Sequence, residues 1–439
     1  MTVSAITTKA EQALAEQFAT LLPQLRGDAG DKDRRKSAFA TFQTTGLPHR
    51  RIEAWHYTDW RNMTKAALPP IVDASNAAIA YASAIPDLLA GVSSIGTLSV
   101  NGAVTATATQ PEGVELLSIA GAIAGNHPLT RHIGTVLPDS VDPLVALNSA
   151  MFTDGFVRRI GKGVKLAEPI QSICIIGTDA PAALNKRSVI VVEEGAEVTI
   201  VGGFTSPNGI ETQISYVIEV IVGDNAKVEY ITCNGLGDAT QSFVAIGVTM
   251  GRNAEFNALH FCAGGSNSRH QVHVAMQGEG SKLGVRGVGL LNGTQHADAT
   301  LVVDHIAPNC ESRELFRNVI DDEATGVFQG KIIVKQAAQK TDGRMASNAV
   351  LLSDGATMNN KPELEIFADD VQCAHGATCG ALDEDLLFYL QARGLPKKDA
   401  EALMLQAFVG EVLENVSNEA VRDRLNEIVE RWLKARGNA

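Results

Sequence analysis

Cys373, His375 and Cys379 fall within seven residues of one another in the stretch ADDVQCAHGATCGALDED (368–385), and three acids, Asp383, Glu384 and Asp385, follow directly. A thiolate and an imidazole are soft and borderline ligands, suited to iron or zinc. Two apart on a strand, Cys373 and His375 would present both side chains on one face. Two ligands do not close a tetrahedral site, which takes four. A metal held here therefore needs donors from a second chain or the exogenous ligands of a transient cluster. Cys379 is a further thiol, but Gly376 and Gly380 leave its direction unreadable. The plain alternative is that His375 makes a local turn hydrogen bond and the cysteines fill the core; spacing alone leaves both readings open. His270 and His273, in RHQVH, fall on opposite faces of a strand and read as surface or turn residues. Cys310 is isolated in APNCES and reads as structural, and Asp369-Asp370 reads as a solvated strand end.

The elements that must position these residues change character along the chain. Residues 5–26 have apolar positions at helical spacing, with Gly27 and Gly30 able to stop the helix. A second helix is expected over 32–45, helix fragments and loop over 66–95, and a helix at 142–152 with Asp142 as cap and Pro143 in its first turn. After Phe156 strand-like runs follow one another. A turn recurs as EGAEV (194–198), DNAKV (224–228), RNAEF (252–256) and EGSKL (279–283), with starts 30, 28 and 27 residues apart and a weaker echo in SDGATM (353–358). Gly and Asn tolerate the left-handed backbone of a tight turn. Several short strands per period of this length predict a stacked β-solenoid. After Gly380 the pattern is helical again: LLFYLQAR, then a face of Ala400, Leu403, Met404, Ala407, Phe408 and Val412, then a stripe of Val421, Leu425, Ile428, Val429, Trp432 and Leu433 capped by Ser417 or Asn418. The expected division is 1–155, 156–382 and 383–439.

Bulk composition narrows the function classes. The 439 residues are 45% hydrophobic, with a formal net charge of −13. Such a surface repels phosphate backbones and anionic lipid, so neither nucleic acid nor membrane is an expected partner. No window approaches the roughly 20 apolar residues of a membrane span, and the N-terminus has no apolar run of signal-peptide length. A cytoplasmic protein is expected. Aromatic residues are 5% of the chain, against 40 glycines, which suits many tight turns better than a carbohydrate groove. No P-loop is present, since GVFQGK (326–331) has the wrong spacing, and neither G-x-S-x-G nor H-E-x-x-H occurs. These absences weaken an independent enzyme reading and leave room for a subunit whose energy source lies elsewhere, with a β-helix carbohydrate lyase or a purely structural β-helix subunit as alternatives.

The stretch 339–378 resembles the SufB/SufD family of iron–sulfur cluster assembly proteins, through KPELEI, then ADDV, then C-x-HGAT, followed by DEDLLFYLQARG; GLPHRRIEAWHYT (46–58) is similar to the family's N-terminal element. Within the family, C-x-HGAT after ADDV is similar to the SufD branch. The resemblance implies a mainly β fold: a right-handed parallel β-helix flanked by N-terminal and C-terminal α-helical regions. It also implies a non-catalytic scaffold subunit of an assembly complex. Such a subunit pairs with a SufB-like paralogue through the β-helix, binds a SufC-like ABC-type ATPase through its C-terminal helices, and forms a homodimer when alone. A transient Fe–S cluster would form at the interface with SufB, and no cofactor is expected in the isolated chain. His375 falls on the family's proposed ligand and Cys373 on a nearby family cysteine, whereas Cys379 stands where an aliphatic residue is usual.

Overall fold

A column of left-handed residues runs the length of the chain's β region. Gly195, Asn225, Asn253 and Gly280, one in each of the four recurring turns, have φ of 69°, 57°, 52° and 71°. The turns stack by hydrogen bonding: the Gly195 N–H donates to Asp224 O at 2.9 Å, Asn225 to Arg252 O at 2.7 Å and Asn253 to Glu279 O at 2.9 Å. The column continues past the recognisable repeats through Asn309 and Lys340, with φ of 59° and 63°. Their N–H groups donate to Gln339 O and Asp370 O. SDGATM lies on a different corner. It precedes a strand of the opposite sheet, and the Ser353 hydroxyl donates to Asp322 O at 2.7 Å.

The computed structural model describes residues 7–72, 78–80 and 91–436; the helix fragments expected over 66–95 lie partly outside them. Among the described residues, each coil gives one strand to each of two sheets, one of ten strands and one of nine. Apart from an antiparallel strand at the start of each, the strands are parallel. Register is kept from coil to coil, so that Phe256, Leu283, Ser312, Gly343 and Cys373 stand in one line across five strands. Alternate residues of both sheets point into a lumen filled by Val, Ile, Phe and Tyr side chains. The chain is a parallel β-solenoid with helical regions at both ends, as the repeat predicts.

Both outer faces are covered. Helices Lys9–Leu21, Ala29–Thr45 and Pro143–Met151 pack on the nine-stranded sheet over Val217, Phe243 and Ala245. Asp142 caps the third of these, accepting from the Leu144 N–H at 2.8 Å. The GLPHRRIEAWHYT element is fastened to the same face. The Trp55 indole N–H donates to Asp142 Oδ2 at 2.9 Å, the Arg269 guanidinium stacks 3.9 Å from the Trp55 ring, and the Thr58 hydroxyl donates to Asp298, which also pairs with Arg269.

Helices Lys397–Leu413 and Glu419–Arg436 cover the ten-stranded sheet over Val288, Leu290, Val319 and Val350. The stripe of the last helix is as expected, and Asn418 is its cap, accepting from the Val421 N–H at 3.0 Å. The inward face of the preceding helix is instead Ala400, Leu405, Val409, Val412 and Leu413, while Leu403 is 50% exposed and Ala407 exposed. That helix is apolar nearly all round, so its periodicity fits several faces and packing selects one. No described helix is long and apolar enough to cross a membrane.

Candidate functional site

The last coil leaves the solenoid open. Strand Thr357–Ile366 closes one sheet and strand Gln372–Gly380 the other; among the described residues each has a neighbour on one side only. Their outer edges carry unpaired backbone groups, the usual template for adding another strand. Seven consecutive residues, 374 to 380, are exposed.

Side-chain direction on the last strand follows from register. Gly343 pairs with Cys373, Met345 with His375 and Ala349 with Cys379. Met345 is 2% exposed in the lumen core. Cys373, His375 and Cys379 therefore all face the lumen side, where the stack ends. Two residues of strand rise separate Cys373 from His375, about 7 Å, and six separate Cys373 from Cys379, about 20 Å. The first pair is within reach of one metal ion or small cluster after modest side-chain movement; Cys379 is not. Among the described residues, no three His, Cys, Asp or Glu side chains converge as a ready-made metal site.

Polar groups that the sequence reading missed lie one and two coils inward. A Cβ at Gly343 would sit 3.4 Å from Ser312 Oγ and 3.7 Å from Cys373 Sγ, so only a missing side chain separates these two. Ser312 Oγ lies 3.0 Å from His305 Nε2. Glu314 is 2% exposed and, among the described residues, neither carboxylate oxygen has a hydrogen-bond partner. Burial pushes its carboxyl up to about 8, only partly offset by the nearby Ser312 hydroxyl and Arg313. Burial also pushes the Cys373 thiol up, opposed by the Gly343 backbone and reinforced by Asp342 and Glu314. A thiol so placed favours its neutral form and becomes a better metal ligand when the coil end is rearranged. The alternation in ESRELF puts Ser312, Glu314 and Phe316 on one face, a signal that was available in the sequence.

Other candidate residues separate from this end. His270 is not at the surface: it is 5% exposed in the lumen, its ring stacked on His260 with centroids 3.7 Å apart. The strand pairing that alternates faces also buries one of them, and an imidazole stacked on another fits an apolar interior when neutral. Desolvation lowers His260 to about 4 and His270 well below its ordinary value. His273 is on the outer face of the same strand, half-buried, and burial lowers it to about 4. Cys174, Cys233, Cys262 and Cys310 are buried. Asp370 is exposed and pairs with Lys340. Helix Glu384–Ala392, which follows the last strand, buries none of its residues; Leu386, Phe388 and Tyr389 are 46%, 72% and 52% exposed.

Comparison with known proteins agrees with this architecture. Residues 174–408 match the family described as "SUF system FeS cluster assembly, SufBD core domain", and residues 12–172 match the SufBD protein N-terminal region. An iron–sulfur cluster assembly SufBD family protein of Synechocystis is 29% identical over 97% of this chain and 97% of its own length. The iron–sulfur cluster assembly protein SufD of Escherichia coli is 28% identical over 87% of this chain and 88% of its own, and SufD of Bacillus subtilis 28% identical over 66% and 67%. With the core domain matched over more than half its length and the N-terminal region over most of the rest, the chain belongs to the SufBD family of iron–sulfur cluster assembly proteins.

Proposed function

We propose that the chain is a SufD-like, non-catalytic scaffold subunit whose open terminal coil receives a SufB-like paralogue, and that a nascent iron–sulfur cluster forms at the seam with His375 and Cys373 as this chain's ligands. One observation carries the reading: both donors stand at the solenoid's open end, on a strand with a free edge, and two donors are too few for a cluster. Edge-to-edge strand pairing supplies backbone hydrogen bonds and brings a partner's donors to the same seam. The cluster is cargo, formed and passed on.

The exposed apolar side of helix Glu384–Ala392, with the helical layer behind it, serves in this reading as the docking surface of a SufC-like ATPase. Closure of ATPase subunits would shift the paired solenoids, expose the Cys373 thiol and let it bind metal. In isolation the free edges favour a homodimer through the same coil. The family context and the lack of a described membrane-spanning helix support a cytoplasmic setting.

The reading is tested by co-expressing the chain with its SufB-like and SufC-like partners, then reconstituting anaerobically with iron and sulfide. The complex should hold a cluster, by its visible absorption and Mössbauer spectrum, that His375→Ala abolishes while the complex still assembles. A normal cluster in that variant would exclude His375 as ligand. Cleavage of polyuronides by the purified chain would instead favour a lyase.

A further inference from the structure

Arg158 and Lys186 lie inside the first coils of the solenoid, 0% and 3% exposed, and neither pairs with a carboxylate among the described residues. Their partners are hydroxyls. Arg158 Nη1 donates to Ser172 Oγ at 3.1 Å and Nη2 to Thr97 Oγ1 at 3.0 Å, while Lys186 Nζ donates to Ser99 Oγ at 3.0 Å. Arg158 Nε has no hydrogen-bond partner among the described residues. Both cations approach the Phe156 ring, at 5.1 and 5.5 Å from its centroid. Register sets Asp154 beside Lys186, but that carboxylate accepts from the Ser118 hydroxyl at 2.8 Å and the Ala120 N–H at 3.2 Å. The contrast within the same fold is sharp: Arg187 pairs with Glu219 and Arg269 with Asp298, all fully buried.

Two buried cations with no counter-charge are costly, because desolvated charges are ordinarily paired. The surrounding hydroxyls are chemically suited to an anion. Ser172 and Thr97 accept from Arg158 and, among the described residues, keep their own O–H free to donate inward, whereas the Ser99 hydroxyl accepts from Lys186 and donates to Ile173 O at 3.3 Å. Ser188 accepts from the Tyr216 hydroxyl at 2.9 Å and likewise keeps its proton. Beside Ser172 in the ladder stands Gly202, which leaves that wall without a side chain; a Cβ there would be 3.6 Å from the Tyr230 hydroxyl.

We propose that one small oxyanion of the phosphate or sulfate class binds between these two cations, held by Arg158 and Lys186 from one sheet and by the Thr97 and Ser172 hydroxyls from the other. The planar guanidinium and the ammonium supply charge-assisted donors, and an oxyanion offers enough lone pairs to satisfy both sheets. The site is independent of the open end and of the function proposed for it.

The test follows thermal unfolding of the full-length chain in sulfate, in phosphate and in chloride at matched ionic strength, for wild type, Lys186→Met and Arg158→Met. Wild type should show a saturable rise in midpoint at millimolar sulfate or phosphate that chloride does not give. Whichever oxyanion gives the tighter saturation is the class bound. Lys186→Met should lose that rise and, in chloride, unfold no earlier than wild type, since it removes an unneutralised buried charge. Equal anion responses in wild type and variant would overturn the proposal. Should the variants fail to fold, crystals of wild type grown with selenate decide it: an anomalous peak between Arg158 and Lys186 is expected, and the absence of one refutes the site.

Discussion

His375 stands directly over Met345 in the strand ladder, and Met345 over Glu314. The imidazole is exposed and has no hydrogen-bond partner among the described residues. Removing it exposes little and orphans nothing. His375→Ala should change unfolding free energy by no more than about 0.5 kcal/mol, measured by urea titration, yet abolish maturation of Fe–S enzymes in cells that depend on this chain. Full complementation by a folded His375→Ala would remove the residue from the ligand set.

The turn column makes a second, purely structural prediction. At Gly280, φ is 71° and a Cβ would lie 2.7 Å from Asn253 Oδ1. Gly280→Val should cost about 1–2 kcal/mol from the left-handed backbone alone. Asn225→Gly, at φ 57°, should cost less than about 1 kcal/mol, because glycine adopts that conformation freely and loses only chain entropy. Equal losses for the two in urea unfolding would mean that backbone handedness does not govern these corners.

How far the sequence reveals the fold depends on how local the cause is. EGAEV, DNAKV, RNAEF and EGSKL announce the solenoid because each corner must solve the same backbone problem with Gly or Asn. Asn309 and Lys340 solve it too, but in APNCES and QKTD the flanking pattern is gone, so the last corners are invisible without register. The inward face of residues 397–413 is decided by Val288, Val319 and the neighbouring helix, far away in sequence, and the chain's own periodicity points elsewhere. At the site, the shared face of Cys373 and His375 follows from strand alternation. Glu314, His305 and the gap at Gly343 come beside Cys373 only through pairing across about 30 to 70 residues of chain, which no spacing rule conveys.

The stacked His260–His270 pair makes stability depend on pH. Both rings have lowered affinity for a proton in the fold, His260 to about 4 and His270 further, against an ordinary value of 6.5. Below 6.5 the unfolded chain takes up protons that the folded chain refuses. The stability contributed by burying them neutral is thus complete above 6.5 and is lost as pH falls toward 4. Each ring contributes a slope of up to about 1.4 kcal/mol per pH unit in that window. His270→Phe keeps an aromatic ring on His260 and should lower the slope by about one proton between pH 6.5 and 4.5, read from urea midpoints at several pH values. An unchanged slope would place the acid sensitivity elsewhere.

The C-terminal helices separate packing from docking. Leu405 is 1% exposed against the ten-stranded sheet, whereas Leu403, two residues away, is 50% exposed. Leu405→Ala should cost about 2–5 kcal/mol and Leu403→Ala less than about 0.5 kcal/mol. Phe388, at 72% exposure, contributes almost nothing to this chain's own core. If the helix that carries it is where an ATPase partner docks, Phe388→Ser should leave the unfolding midpoint unchanged and still reduce co-purification of that partner severalfold, because a large exposed aromatic is the kind of side chain that anchors an interface. Retention of the partner by Phe388→Ser, together with its loss on deleting residues 397–436, would move the docking surface off this helix and onto the layer packed against the sheet.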